Sequence, residues 1–441
     1  YDDTIFSLAT AAGRSATAMV RISGPRVNDV PKLLGFAGPE PKIASLRTLK
    51  YQKKKLDQAI VLFFKGPESY TGEDVMELHL HGGRAVIEGV YSALSAQDGF
   101  RFAENGEFSK RAVVNGRIDL TEAEGINDLI NAETEAQRDQ GLNQLEGALR
   151  LQLEKWSNDL KGFGAHIEAY IDFPDEQIPE NVLNDLLQGL EETIRELIGF
   201  VDDDRKGEIL RSGLKVAVIG PPNVGKSSFV NWLTKRDIAI TSEKAGTTRD
   251  IVEAHLDLGG YPVTVADTAG VRESEDTIEQ EGIRRARSWA ESADLRVLIL
   301  DPETAEDASV FSDLLKSGDP VLMNKADRVT KVKKQTSSVY SLVSVKTGYG
   351  LESTLSELTT IAKKKMGTQK LTMITQARHR ALLDDCLASL REAHFGLRNH
   401  ADLELIAEDF RSAIYCIGRI TGHIDVEDLL DVVFKEFCIG K

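Results

Sequence analysis

The segment Gly220-Pro-Pro-Asn-Val-Gly225-Lys226-Ser227 has the spacing G-x-x-x-x-G-K-S, which suits the chemistry of phosphate binding. Its glycines let the backbone wrap an anion so that several N–H groups face it. Lys226 can then reach the β- and γ-phosphates of a nucleotide, and the Ser227 hydroxyl can ligate Mg²⁺. The segment follows an apolar run at residues 215–219 and precedes a helical pattern that starts at Ser228. A simple glycine turn would also join a strand to a helix, but this context favours a nucleotide site.

Three further segments follow in the order that a GTPase requires. Asp267-Thr-Ala-Gly270 ends an apolar run; its carboxylate can hold Mg²⁺ through water and its glycine N–H can meet a γ-phosphate. Asn324-Lys-Ala-Asp327 supplies a carboxylate that accepts two hydrogen bonds from guanine, which adenine cannot offer. Ser344-Val-Lys346 completes a base pocket. Because all four segments follow strand-like runs in order, the sequence predicts GTP rather than ATP.

The loop Gly246-Thr-Thr-Arg-Asp250 lies where the first switch of a GTPase belongs. Thr247 and Thr248 are candidates to close over Mg²⁺ when a γ-phosphate is present. Many regulatory GTPases place a water-orienting glutamine where this chain has Val271, so another group must take that role. An acidic stretch follows at once, and the residues alone do not choose among its members, which are Glu273, Glu275, Asp276, Glu279 and Glu281.

The strands and helices that must position these residues fall into four stretches. Residues 1–117 mix strand-like runs with short helical patterns and predict an α+β domain. Residues 118–210 are helical, with Asp119 capping a first helix and one leucine stripe continuing from Leu142 to Leu160. Residues 211–367 alternate strands with helices, which indicates a parallel sheet. Residues 368–441 are helical again, so we expect one helical domain interrupted by an inserted Ras-like P-loop GTPase domain, rather than two separate helical domains.

Composition limits the class of protein. The 441 residues include 54 Lys and Arg against 70 Asp and Glu, a net charge of −16, which excludes RNA binding by bulk positive charge. The 41% hydrophobic content indicates a well-packed globular chain. The first residues lack the features of a signal peptide, no apolar run is long enough to span a membrane, and only three cysteines occur. These features predict a cytoplasmic protein without a disulfide framework or membrane association.

The sequence resembles the MnmE or TrmE family of tRNA-modifying GTPases along its whole length. Besides the nucleotide segments, the shared blocks are residues 70–83 (YTGEDVMELHLHGG), 106–112 (GEFSKRA), 115–120 (NGRIDL) and 437–441 (FCIGK). The resemblance implies that residues 1–117 bind tetrahydrofolate and mediate a homodimer. It also implies that, with an FAD-containing partner of the MnmG or GidA type, the protein adds an aminomethyl or carboxymethylaminomethyl group to carbon 5 of the wobble uridine of certain tRNAs. A 5-formyl- or methylene-tetrahydrofolate supplies the one-carbon unit, and GTP hydrolysis drives the cycle.

The resemblance also assigns site residues. Glu279 matches the family's water-orienting glutamate and acts with Lys226 and Thr248 in catalysis. The resemblance implies that Ser227 and Thr248 bind magnesium. It also implies that Asn223, Ser242, Lys244 and Thr247 bind a potassium ion, which takes the place of an arginine finger. The residues implied to bind folate are Arg21, Glu77, Arg117 and Lys441. Arg117 replaces a lysine that some members of the family have. The full GTP-binding set is Asn223, Val224, Gly225, Lys226, Ser227, Ser228, Ser242, Thr247, Thr248, Asp267, Thr268, Ala269, Gly270, Asn324, Lys325, Asp327, Ser344, Val345 and Lys346.

Two alternatives stay open at this stage. Cys438 lies in the C-terminal motif and is a candidate for one-carbon chemistry, but a free cysteine also serves as a small buried apolar residue. The whole chain also fits a regulatory or ribosome-assembly GTPase whose flanking domains only bind partners. The folate residues distinguish the two readings, because a pure switch has no need of them.

Overall fold

A computed structural model describes residues 1–172, 179–236, 238–240, 252–267, 287–302, 311, 313–328, 340–367, 373–424, 430, 433–435, 437 and 440. These fall into two compact units. The first comprises Tyr1–Asn127, Leu145–Leu183 and Glu392–Lys441, and the second comprises Asp128–Gln144 and Asn184–Arg391. None of the helices in the described ranges has the length and apolar character needed to cross a membrane.

The N-terminal part of the first unit is built on a six-stranded sheet in the order β3-β4-β5-β2-β1-β6. Its strands are β1 (Thr4–Leu8), β2 (Ser15–Ser23), β3 (Ser45–Tyr51), β4 (Lys54–Phe64), β5 (Val75–Gly82) and β6 (Phe100–Phe102), and its helices are α1 (Val30–Leu33), α2 (Arg84–Ser95) and α3 (Glu107–Val114). Only the β1–β6 pair is parallel. This arrangement confirms the predicted α+β domain.

Successive side chains of β2 and β5 point to opposite faces of the sheet. One face is buried in the core, and the other carries polar residues. Val20 and Leu78 are fully buried in a core shared with Leu94 of α2. Arg21 and Glu77 point to the opposite face, where they stand directly across the β2–β5 ladder from each other. The apolar residues therefore fix the register that brings this arginine and this glutamate together.

Helices from both sides of the nucleotide-binding stretch pack together in the first unit. They are α6 (Ala148–Asp172) and α12 (Leu403–Thr421), with the rings of Phe163 and Phe410 6.1 Å apart. Trp156 and Leu160 of α6 are buried, as the helical periodicity predicts. The halves of the helical domain thus meet around the interruption.

One expectation about the helices is wrong. The leucine stripe from Leu142 to Leu160 does not lie on one helix, because α5 (Glu135–Leu145) ends before α6 begins at Ala148. Gly147 has a φ of +80°, a left-handed conformation that interrupts the helix. Leu142 is consequently exposed, whereas Leu149 and Leu153 are buried. The remaining helices are α4 (Leu120–Ile130), α7 (Glu180–Val201), α8 (Lys206–Ser212), α9 (Lys226–Thr234), α10 (Leu351–Met366) and α11 (Ala377–Arg398).

The second unit contains a six-stranded sheet in the order β12-β11-β10-β7-β9-β8. Its strands are β7 (Leu214–Ile219), β8 (Val252–Asp257), β9 (Pro262–Asp267), β10 (Leu295–Leu300), β11 (Val321–Met323) and β12 (Ser341–Leu342). All neighbours are parallel except β8 and β9. The continuous apolar runs of β7 and β10 are buried, as the two covered faces of a parallel sheet require. Together the two units confirm the predicted fold class of an α+β domain, a helical domain and an interrupting Ras-like GTPase domain.

Candidate functional site

The phosphate loop joins β7 to α9, and two of its positions require glycine. Gly220 has a φ of +142°, and a Cβ there would lie 2.1 Å from the carbonyl oxygen of Ile299. Gly225 has a φ of +102° and caps α9, where a Cβ would lie 2.4 Å from Nδ2 of Asn324. The loop can therefore approach the neighbouring strand ends only because these residues lack side chains.

Lys226 is held inside this loop. Its Nζ donates hydrogen bonds to the carbonyl oxygens of Gly220 at 2.8 Å and Pro221 at 2.7 Å, and the residue is 6% exposed. Asn223, Ser227 and Ser228 are exposed around it, the two serines in the first turn of α9. A buried ammonium beside a helix N-terminus with exposed hydroxyls fits a nucleotide's phosphates and their magnesium ion.

Asn324 connects the phosphate loop to the base pocket. Its Nδ2 donates to the carbonyl oxygen of Val224 at 2.7 Å, and its Oδ1 accepts from the N–H of Val345 at 3.1 Å. With 4% of its surface exposed, Asn324 acts as a buried link between three segments. The sequence predicted these residues as nucleotide contacts, but it gave no sign that this asparagine holds the segments to one another.

The residue predicted to read guanine is Asp327, and Ser344 positions it. The Ser344 hydroxyl donates to Oδ1 of Asp327 at 2.6 Å and also accepts from the N–H of Thr347 at 3.3 Å. The hydrogen bond from Ser344 lowers the pKa of Asp327, with a smaller contribution from the charge of Lys346. The exposed carboxylate therefore stays ionised, as an acceptor for two guanine donors must.

Sequence reasoning missed Asp301. It directly follows β10, is 2% exposed, and its Oδ2 lies 2.5 Å from Nζ of Lys325. Lys325 has a φ of +59°, which is uncommon for a residue with a Cβ. The ion pair anchors the lysine of the base-recognition segment, and its signal in the sequence was an acidic residue at a strand's carboxyl end.

The described residues do not include every predicted site residue. Of Asp267, the structure describes the backbone as the last position of β9. The predicted site residues that lie outside the described ranges are Ser242, Lys244, Thr247, Thr248, Thr268, Ala269, Gly270, Glu279, Cys438 and Lys441.

A second group of polar residues lies on the face of the N-terminal sheet that carries Arg21 and Glu77. Nε of Arg21 donates to Oε1 of Glu77 at 3.1 Å, and the two side chains are 17% and 14% exposed. The guanidinium lies over two aromatic rings, 4.9 Å from the centroid of Tyr70 and 5.7 Å from that of Phe108. Nε2 of His79 lies 3.6 Å from Oε2 of Glu77. A largely desolvated ion pair with an aromatic wall offers both charge and a flat surface to a ligand.

Arg117 and the chain end occupy other positions in the same unit. Arg117 is exposed, and its Cγ lies 3.1 Å from where a Cβ of Gly72 would be. Among the described residues, no hydrogen bond or salt bridge joins Arg117 to Arg21 or Glu77. Gly440 packs on β1 so closely that a Cβ would lie 2.0 Å from the carbonyl oxygen of Leu8. Leu8 pairs with Val20, the neighbour of Arg21, so the C-terminal segment reaches the strand next to the one that carries Arg21.

Comparisons with known proteins identify the family of the chain. The family model of the GTP-binding protein TrmE N-terminus matches residues 4–117, and that of the MnmE helical domain matches residues 120–438. The tRNA modification GTPase MnmE of Parvibaculum lavamentivorans is 46% identical over 442 aligned positions, and that of Caulobacter vibrioides is 44% identical over 449; both alignments cover 100% of each chain.

Among solved structures, the G domain of the T. maritima FeoB iron transporter aligns with 34% of this chain and 98% of its own, at 24% identity and a TM-score of 0.27. At that score the likeness adds nothing to the assignment, which rests on the full-length relatives and the family models. The chain belongs to the MnmE family of tRNA modification GTPases.

Proposed function

We propose that this GTPase uses a reduced folate and an FAD-containing partner of the MnmG type to add an aminomethyl or carboxymethylaminomethyl group to carbon 5 of the wobble uridine in tRNA. The observation that carries the proposal is the largely desolvated Arg21–Glu77 ion pair, held beside Tyr70 and Phe108 on the sheet face opposite the buried core. The alternative is a regulatory or ribosome-assembly GTPase. That function does not explain why Arg21 and Glu77 form an ion pair beside two aromatic rings.

In the nucleotide site, the proposed roles follow from position. Lys226 binds the phosphates from within the loop, and Ser227 with Thr248 holds magnesium. Glu279, which matches the family's water-orienting glutamate, orients the attacking water in place of the glutamine that Val271 replaces. Potassium, held by Asn223, Ser242, Lys244 and Thr247, supplies positive charge beside the bond that breaks. The left-handed backbone of Asn223, with a φ of +63°, exposes its side chain at the loop and fits this assignment.

In the folate site, Arg21 and Glu77 bind the ligand together with Arg117 and Lys441. When bound, the folate supplies the one-carbon unit, as the 5-formyl or the methylene derivative. Tyr70 donates or accepts a hydrogen bond with the Ser109 hydroxyl at 2.7 Å, and burial raises the pKa of Tyr70, so its ring stays neutral. A neutral aromatic wall can hold a planar ring while Arg21 and Glu77 meet its polar groups.

The assembly and location follow the same family reading. We propose a homodimer through residues 1–117, in which the GTPase domains approach each other when GTP is bound. We also propose a cytoplasmic hetero-oligomer with the flavoprotein, and a role for Cys438 in one-carbon transfer. These assignments rest on the membership of the family and on the approach of Gly440 to β1.

The deciding experiment is modification of tRNA in vitro with and without the flavoprotein, monitored by nucleoside mass spectrometry. Arg21→Gln should abolish folate binding in calorimetry and abolish modification, yet leave GTP hydrolysis intact. Arg26→Gln is the matched control, since Arg26 pairs with exposed Asp29 in the same domain. Absence of folate binding to the intact wild-type protein would favour the regulatory alternative.

A second experiment tests the nucleotide roles. GTP hydrolysis should be much faster in K⁺ than in Na⁺, and Glu279→Ala should lose hydrolysis while it still binds nucleotide. Equal rates in the two salts would remove the potassium assignment to Asn223.

A further inference from the structure

A polar pocket of about 310 Å³ in the first unit includes neither the phosphate loop nor the Arg21–Glu77 ion pair, although it shares Arg117 with the proposed folate residues. It lies where the segment after α3 meets the start of α4, the N-terminal half of α6 and the end of α12. The lining residues are Val113, Gly116, Arg117, Ile118, Asp119, Glu122, Arg150, Glu154, Thr421, Gly422 and His423. A pocket of this size with a few convergent polar groups is typical of a small-ligand site.

The unusual member is Asp119, which is 6% exposed. Its Oδ1 accepts hydrogen bonds from the Thr121 hydroxyl and the N–H of Glu122, both at 2.7 Å, and so caps α4. Its Oδ2 has no hydrogen-bond donor among the described residues. The nearest cation is Nε of Arg150 at 3.8 Å, which already donates to Glu122 at 3.2 Å. A buried carboxylate oxygen without a donor is costly unless a ligand or water supplies one.

The other polar groups of the pocket divide into two kinds. Arg150 is neutralised by Glu122 and by Glu154, the latter at 2.9 Å. The Arg117 guanidinium forms no salt bridge or side-chain hydrogen bond within the described ranges, so its donors remain for a ligand. Val113 and Ile118 add apolar surface. The pocket therefore offers a buried carboxylate oxygen that has no donor among the described residues, the donors of Arg117, and apolar contact.

We propose that this pocket binds the uracil base of the uridine to be modified, with Asp119 Oδ2 accepting its N3–H and Arg117 donating to a flanking carbonyl. Uracil has one N–H donor between two carbonyl acceptors, which matches one free carboxylate oxygen beside a guanidinium. Cytosine presents an acceptor at N3 and would oppose the carboxylate with a lone pair. The inference rests on the proposed function, since it assumes that a uridine in RNA is the substrate.

A pterin or guanine edge fits this pocket less well. Either ring presents two adjacent donors, an N–H and an amine, which suit both oxygens of one carboxylate. Oδ1 of Asp119 already accepts two hydrogen bonds, so only Oδ2 is available. Arg117 is also one of the proposed folate residues, so the base would lie next to the source of its one-carbon unit.

The test measures which base the full-length protein prefers. Fluorescence anisotropy would compare anticodon stem-loops that carry uridine, cytidine or N3-methyluridine at the wobble position. The wild type should bind the uridine stem-loop about 10-fold more tightly than the other two, in the range of a base-specific contact. Asp119→Asn keeps an equally good helix cap but places an amide donor at the free position. It should abolish or reverse the preference of uridine over cytidine.

Asp402→Asn provides the matched control, because it makes the same change at the N-cap of α12, outside the pocket. It should bind the three RNAs as the wild type does. The proposal fails if the wild type does not distinguish the bases, or if Asp119→Asn keeps the wild-type preference. Loss of folate affinity alone in Asp119→Asn would identify a pterin as the occupant and would equally overturn it. Modification by the wild type with its partner, measured in parallel, tests the proposed function separately.

Discussion

Single residues of the nucleotide site were predictable by type and place, but not by all of their contacts. The G-x-x-x-x-G-K-S spacing identified Lys226 because the phosphate chemistry depends on local sequence. Asn324 reaches Val224, one hundred positions away in the chain, and Lys325 reaches Asp301. Such pairs depend on which strands become neighbours, so local patterns do not report them.

Gly225→Ala should weaken GTP binding by at least about 10-fold, which corresponds to about 1.4 kcal/mol. The added Cβ would meet Nδ2 of Asn324 at 2.4 Å, and the φ of +102° is strained for alanine. Titration with a fluorescent GTP analogue measures the loss. Gly162→Ala is the control, because a Cβ there meets nothing within 4 Å. Wild-type affinity in Gly225→Ala would show that the link from Asn324 to the loop is dispensable.

Asp327→Asn should exchange guanine for xanthine specificity. Xanthine carries a carbonyl where guanine has its amine, so an amide donor suits xanthine and a carboxylate suits guanine. We expect GTP affinity to fall by at least about 10-fold, because the hydrogen bonds to a charged carboxylate are lost. Competition between GTP and XTP measures the change, with Asp313→Asn, an exposed partner of Arg287, as control. Unchanged preference for GTP would place base recognition elsewhere.

At the scale of elements, sequence patterns located strands better than helix ends. The run at 215–219 became β7 within one residue, because apolar residues buried on both faces leave a continuous signal. The stripe from Leu142 to Leu160 did not reveal the break between α5 and α6. Its leucines keep a spacing of three or four residues on both sides of Gly147, where the helix is interrupted. Only the packed structure shows that Leu142 faces solvent while Leu149 does not.

Three charged residues connect α8, which leads into β7, with α11, which follows the nucleotide-binding sheet. Nε of Arg380 donates to Glu208 at 2.7 Å, and its Nη2 donates to Asp203 at 2.6 Å. Burial opposes ionisation of Glu208, but hydrogen bonds from Arg380 and Arg205 outweigh it and lower the pKa of Glu208. This ion cluster ties together the two chain segments that flank the sheet.

Arg380→Met should therefore lower the free energy of unfolding by about 3 kcal/mol at neutral pH, because it removes the arginine that two buried carboxylates share and leaves Glu208 with Arg205 alone. A lowered pKa means that the stabilisation is present above the ordinary glutamate value of about 4.3 and is lost as the pH falls through the folded value. The difference in unfolding free energy between the wild type and the variant, measured by urea unfolding, should thus decrease as the pH falls through the folded pKa of Glu208. Arg287→Met, which removes an exposed pair, is the control. A gap that is independent of pH would contradict the role of Glu208.

At the scale of the whole molecule, the charge of −16 limits how the protein can hold RNA. An acidic surface repels phosphates, so the chain must rely on a few local contacts, on the proposed partner, or on both. Composition alone predicted this limit. It could not predict the Asp119 pocket, where a base could be read with little help from the phosphates.

The affinity of the chain alone for tRNA should consequently depend weakly on salt. Each phosphate contact to a single strand contributes a slope of about −0.7 in a plot of log affinity against log salt concentration, so two contacts give about −1.4. Adding the proposed flavoprotein should steepen the slope and raise the affinity if that protein supplies the cations that this acidic chain lacks. Anisotropy titrations across a range of KCl concentrations measure both slopes. A steep slope for the chain alone would instead indicate that an exposed basic run such as Lys53-Lys-Lys55 binds the RNA. The same titration on a variant with these three lysines replaced by glutamine would show whether this run is the binding site.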